Sequence, residues 1–237
     1  MATIDSVQTS LRTADDWQKR GQPAWVSKCL SSALLGYLKI AVTEHGDPAS
    51  GVAWLTSQNI SGVLQKQFDT LQVLGAEVTA GRLPSSVIAG SYHPLVYAHL
   101  AWCLEKFDLG ESFVAFAERK DVGELGTPFW REYARGMGAL VKREPYHPSQ
   151  LRLKGQEKYW MAYLHLIEAA CNGRSVDDVV AELEKQFVAR NNDKNIKDDA
   201  YQIEGSGNQP VKWDFRRQGL LSSCRSGMAA MPEGRAT

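Results

Sequence analysis

The five histidines, His45, His93, His99, His147 and His165, have the broadest chemical range of any residues in this chain. A helical zinc site needs two ligands on one face, as the HExxH spacing provides, and none of the five is placed that way. His93 and His99 stand six apart, which carries them to different faces of a helix. His165 and Glu168 are three apart and share a face, the placement an acid and base pair would take. A buried glutamate satisfied by an arginine or a backbone group is the simpler account of that spacing. Ser86, Ser91 and Ser206 lie near Gly or Pro, but none sits in a GxSxG elbow. The GSG at Gly205, Ser206 and Gly207 lacks the lysine and hydroxyl of a phosphate loop and follows no evident strand, and the GELG at Gly123 to Gly126 reads as a turn too. No metal site, cofactor site or catalytic set is therefore expected, and the chain reads as a binding protein rather than an enzyme.

Composition sets the frame for those residues. With 237 residues, 43% hydrophobic, 23% charged and seven Trp, the chain has enough apolar surface to offset its ordering entropy as one large domain or two joined ones. Lys plus Arg is 27 and Asp plus Glu is 27, so no net field draws the chain to nucleic acid or anionic lipid, and neither is expected as a partner. Cys29, Cys103, Cys171 and Cys224 are scattered without a CxxC pair, which points to reduced thiols and a cytoplasmic setting. The opening MATIDSVQTSLRTADDWQKR lacks the basic start and apolar core of a secretory signal. Leu83 to Leu104 carries no formal charge, but it contains Pro84, Gly90, His93, Pro94 and His99. Those are costly in lipid, so a buried helix with its preceding loop is expected there.

Helical periodicity runs through most of the sequence. Val26, Leu30, Leu34, Leu38 and Val42 recur every four residues, with Trp25, Cys29 and Leu35 widening the stripe, between Pro23 and Gly46. Asp47 and Pro48 open a second helix carrying Val52, Leu55, Val63, Leu64, Phe68, Leu71 and Leu74 toward Gly75. Pro94 opens a helix through Leu109, Gly110 breaks it, and a short helix follows over Glu111 to Lys120. Thr127 and Pro128 open another, Gln150 to Ala170 reads as one long helix, and Ser175 caps a last amphipathic run through Phe187. The expected fold is all-α, an irregular array of antiparallel helical hairpins forming a bundle or short α-solenoid. Residues 1–22 read as an N-terminal segment, 23–222 as the helical domain with an internal boundary at 75–92, and 223–237 as a disordered tail.

Charge is uneven near the end of the chain. Ser175 to Glu204 holds eight acidic against four basic side chains, and Gly205 to Thr237 holds five basic against two acidic. The helix GQEKYWMAYLHLIEAACNG and the segment RNNDKNIKDDAYQIEGSGNQPVKWDFRRQGLL, within residues 90–222, resemble the all-helical immunity proteins of bacterial toxin systems, of the immunity protein 49 type. That resemblance implies a protein that binds and neutralises one cognate toxin. The side chains expected to meet the toxin are Trp213, Arg216 and Arg217, with Tyr201 and the acidic Asp198, Asp199 and Glu204, because interface energy concentrates in Trp, Tyr and Arg. The competing account of the WDFRR motif has Trp213 and Phe215 pinning the last helix while Asp214 pairs with Arg217. Two further readings are a tetratricopeptide-like scaffold that holds peptides in a concave groove, and a helical enzyme using Glu168 and His165.

Overall fold

A computed structural model describes residues 3–88, 93–119, 121, 127–152, 160–192 and 212–229. Among them are ten α-helices, one 3-10 turn at Ser85–Val87 and no strand, so the fold class is all-α. The first helix, α1 (Ile4–Lys19), starts at a capping box in which Thr3 and Ser6 satisfy each other's backbone N–H groups. Its Val7 is buried against α2 (Pro23–Glu44), where Gly36 leaves the room: a Cβ there would lie 2.7 Å from Val7 Cγ2. Residues 3–19 are therefore part of the helical domain, which corrects the separate segment expected for 1–22. Gly21, at φ 65°, makes the reversal between the two helices.

Helix α2 buries the whole four-residue series from Val26 to Val42. It is the one described helix long and apolar enough to cross a membrane by length and composition, and most of it is buried against α1, α3 and α4. The second expected helix is in fact two, α3 (Pro48–Ser57) and α4 (Ile60–Thr79). Asp47 Oδ1 accepts from Ser50 N at 3.0 Å to open α3. Thr56 and Ser57 then hydrogen-bond back to the carbonyls of Val52 and Trp54, and Asn59 turns left-handed at φ 55°. Asparagine tolerates that conformation, so the break needs no glycine.

Gly75 lies buried inside α4 instead of ending it. The expected boundary at 75–92 is not a domain border, because one core runs unbroken from Val7 through Ile88 to Leu220. Helix α5 (His93–Cys103) is buried along nearly its whole length, as expected for that charge-free stretch. It ends at Glu105, left-handed at φ 56°, before α6 (Phe107–Ala117). Gly110 sits within α6, where the indole of Trp102 occupies the space a side chain would need. Thr127 caps α7 (Pro128–Lys142) through its hydroxyl to Trp130 N, 3.4 Å. Residues 144–152 are not helical, so the long helix expected from Gln150 begins instead at α8 (Met161–Cys171).

Helix α9 (Asp177–Asn192) follows, and α10 (Phe215–Ala229) returns across the chain to pack on α5 and α8. That return closes the array, which makes it a bundle rather than an open solenoid. Helix α10 runs past 222, with Leu220 and Cys224 buried at helical spacing, so the tail expected from 223 is corrected as far as Ala229. Residues 230–237 lie outside the described residues.

Candidate functional site

Two places in this bundle combine tryptophan with arginine or lysine, and they are built in opposite ways. The first is the WDFRR motif. Trp213 is 3% exposed and Arg216 is 1% exposed, so neither is available to a partner. This corrects the expectation that both belong to a contact surface. Trp213 Nε1 donates to Ala41 O at 3.0 Å, and its ring lies against Gly51 of α3 so closely that only hydrogen fits on that glycine. The preceding Lys212 donates from its backbone to Val42 O and from Nζ to Glu44 O, both at the last turn of α2.

Asp214 caps α10. Its Oδ1 accepts from the backbone N–H groups of Arg216 and Arg217, and its Oδ2 accepts from Tyr163 Oη at 2.6 Å. The Arg216 guanidinium lies 4.3 Å from the Trp160 ring centre and 4.8 Å from that of Phe215, in the same buried layer. Arg217 points outward to Glu184 at 2.6 Å instead of pairing with Asp214. It is the one described member of the expected contact set that reaches the surface. Asp198, Asp199, Tyr201 and Glu204 lie outside the described residues.

This layer also holds His99, whose Nε2 meets Tyr133 Oη at 2.9 Å and whose Nδ1 has no partner among the described residues. Burial, with Arg216 close by, holds its pKa well below the usual value. Burial likewise raises the thiol of Cys103, which donates to Phe215 O at 3.2 Å. These groups are locked to each other and to α10, and the arrangement serves architecture.

His165 and Glu168 do not meet. His165 is exposed, while Glu168 binds His147 Nδ1 at 2.9 Å and Arg174 at 3.1 Å. The acid and base pair drawn from their spacing is thus replaced by a glutamate satisfied by an arginine and a second histidine. Burial pulls the Glu168 pKa upward, but the hydrogen bonds from His147 and Arg174 outweigh it and the net shift is downward. Nearby, Glu132 accepts from Arg135, from Tyr146 Oη at 2.8 Å and from Ser149 N at 3.0 Å, which fixes the non-helical run after α7. Among the described residues no three His, Cys, Asp or Glu side chains converge as metal ligands would.

The second place lies at the turn between α1 and α2. Trp17 and Trp25 stack with ring centres 5.5 Å apart and planes 21° from parallel. Arg20 sits 5.0 Å from the centre of Trp17 and Lys28 5.0 Å from that of Trp25. Trp25 is 47% exposed, one of the most exposed large apolar residues described. A groove of about 720 Å³ opens at this corner between the turn and α4, its walls including Gln18, Ala24, Asp69, Val73 and Leu83. The sequence reading placed Trp25 in the buried stripe of α2 and set Trp17 apart in a separate segment, and so missed this pair. The overlooked signal is a repeated spacing: Trp17-x-x-Arg20 and Trp25-x-x-Lys28, eight residues apart across Gly21 and Pro23. At three residues along a helix, each cation comes to lie beside its own ring.

The chain matches no protein-family model, no curated protein and no solved structure.

Proposed function

We propose that the chain is an immunity protein that binds and neutralises a cognate bacterial toxin through protein–protein contact. The observation that carries this reading is the Trp17–Trp25 stack, in which Trp25 is exposed and the half-buried Trp17 packs against Ala14, Val26 and Leu30. Tryptophan and arginine dominate binding energy at protein interfaces, and a surface already fixed by folding loses little further entropy on association. The stack is held by α1 and α2, and both are anchored in the main core through Val7, Leu34 and Leu38. A tetratricopeptide-like adaptor needs an open concave stack of repeats. The return of α10 onto α5 and α8 favours the toxin-binding reading over it.

The test is co-expression with the adjacent upstream reading frame. Killing by that neighbour alone, together with rescue by this chain in a stable complex that co-purifies, is the expected outcome. A harmless neighbour, or rescue without any complex, would sink the reading.

A further inference from the structure

We infer that α10 is an acid-released latch: a proton taken by the buried His99 drives this helix off α5 while the rest of the bundle stays folded. The device is independent of what the chain binds and of the exposed tryptophan pair.

The surroundings of His99 suit a neutral ring. The residue is 1% exposed, its Nε2 meets Tyr133 Oη of α7 at 2.9 Å, and its Nδ1 has no partner among the described residues. Whichever nitrogen holds the hydrogen of the neutral ring, the protonated ring holds one on each. Tyr133 can accept from Nε2, but nothing described accepts from Nδ1, so a buried charge would stand unsatisfied. From α10 the ring meets Phe215 edge-on, with centres 6.3 Å apart, and lies within reach of the Arg216 charge. On α5 itself the titratable neighbour is Cys103, whose thiol donates to Phe215 O. Asp214, the carboxylate of this layer, has Oδ1 taken by the N–H groups of Arg216 and Arg217 and Oδ2 by Tyr163 of α8. Arg217 points outward to Glu184. Helices α4 and α6 also pack on α5, and no hydrogen bond joins either to His99 among the described residues. A proton on His99 therefore faces the like charge of Arg216 where water does not screen it.

The packing selects α10 as the element that moves. It carries Arg216, and its Gly219 lies so near α5 that a Cβ there would stand 2.6 Å from His99 O. A contact that close leaves no room for water to enter between the helices, so hydrating the charge requires them to part. Helix α7 instead offers an acceptor, and α5 is held from other sides by α4 and α6. Parting bares Phe215, Leu220 and Cys224, all buried when the latch is closed. It also returns His99 to water, where a histidine titrates near pH 6.5. The latch is closed above that pH and loosens below it, and between pH 7.5 and 5.0 the open population rises about thirtyfold.

Amide hydrogen exchange on the full chain, read by mass spectrometry with the intrinsic rates divided out, tests this at the two pH values. Protection over residues 215–224 should fall about thirtyfold from pH 7.5 to 5.0. At pH 5.0 it should stand about tenfold or more below that of the α2 core around Leu34 and Leu38, as local opening requires. In His99→Gln the fall should shrink to roughly threefold or less, whereas His93→Gln, which removes the other histidine of α5, should keep it near thirtyfold. Equal protection in α10 and α2 at pH 5.0 means that the chain opens only as a whole, and it overturns the latch. So does a wild-type fall of roughly threefold or less, or a thirtyfold fall that survives His99→Gln. The two wild-type measurements need no substitution, so they decide the matter even where circular dichroism finds that His99→Gln has lost its helices.

Discussion

Trp213 and Trp25 lie in similar local sequences, each followed three residues later by a cation, yet one closes the core and the other faces water. Around Trp213 the neighbours come from far along the chain: Ala41 and Gly51 receive the ring, and Tyr163 meets the adjacent Asp214. Around Trp25 they are local, since Trp17 and Lys28 lie within eight residues. Long-range partners take a tryptophan out of solvent, whereas local ones only orient it. The WDFRR motif is therefore a clasp, and the paired WxxR and WxxK motifs form a displayed surface.

The sharpest way to break this contrast is to remove both rings in turn. Trp213→Ala should cost about 3–5 kcal/mol of stability, the usual loss for a buried aromatic truncated to Ala, read from the denaturant midpoint. Gly219→Ala comes next: its Cβ would meet His99 O at 2.6 Å, backbone against side chain, and should cost about 1–3 kcal/mol as overpacking. Acid should strain the clasp layer before the displayed corner. His99 and His93 are both held neutral by burial, so below about pH 6.5 the unfolded chain binds their protons more readily than the folded one. Stability is full above that pH and falls below it by up to about 1.4 kcal/mol per pH unit for each histidine, and His99→Gln should flatten the slope. Glu132 and Glu168, held below the usual carboxylate range, add their loss only under about pH 4.3. At the exposed corner, Trp25→Ala should change stability by no more than about 1.5 kcal/mol through the lost stacking. Arg20→Glu or Lys28→Glu should stay within about 0.5 kcal/mol by thermal melting. A large loss at either cation would mean that the corner is structural too, and the contrast would fail.

The all-helical class was legible because four-residue apolar series such as Val26 to Val42 need no tertiary information. Proline starts and side-chain caps were legible for the same reason, as Asp47, Thr127 and their prolines bear out. Breaks were harder to place: the chain turns left-handed at Asn59 and Glu105, where no glycine marks the turn, while the conspicuous Gly75 and Gly110 remain inside helices. Gly110 is there to let Trp102 of the preceding helix approach, a demand of helix packing that apolar periodicity does not reveal. Trp213 and Arg216 were placed on the surface for a related reason. Trp and Arg suit both interfaces and cores, and only the position of α2 and α5 decides that Trp213 and Arg216 go inward. The account of WDFRR as a pin was right for Trp213 and Phe215, whereas Arg217 reaches Glu184 instead of Asp214.

The return of the last helix also fixes an order of assembly. Helices α1 and α2 can pair as soon as they leave the ribosome, since their contacts span few residues. Cys103, by contrast, must wait for the carbonyl of Phe215, more than a hundred positions later. A nascent chain stalled before residue 212 would carry His99, Cys103 and Trp160 without the partners that Phe215 and Arg216 bring, and such a chain is the one a chaperone or protease would find first.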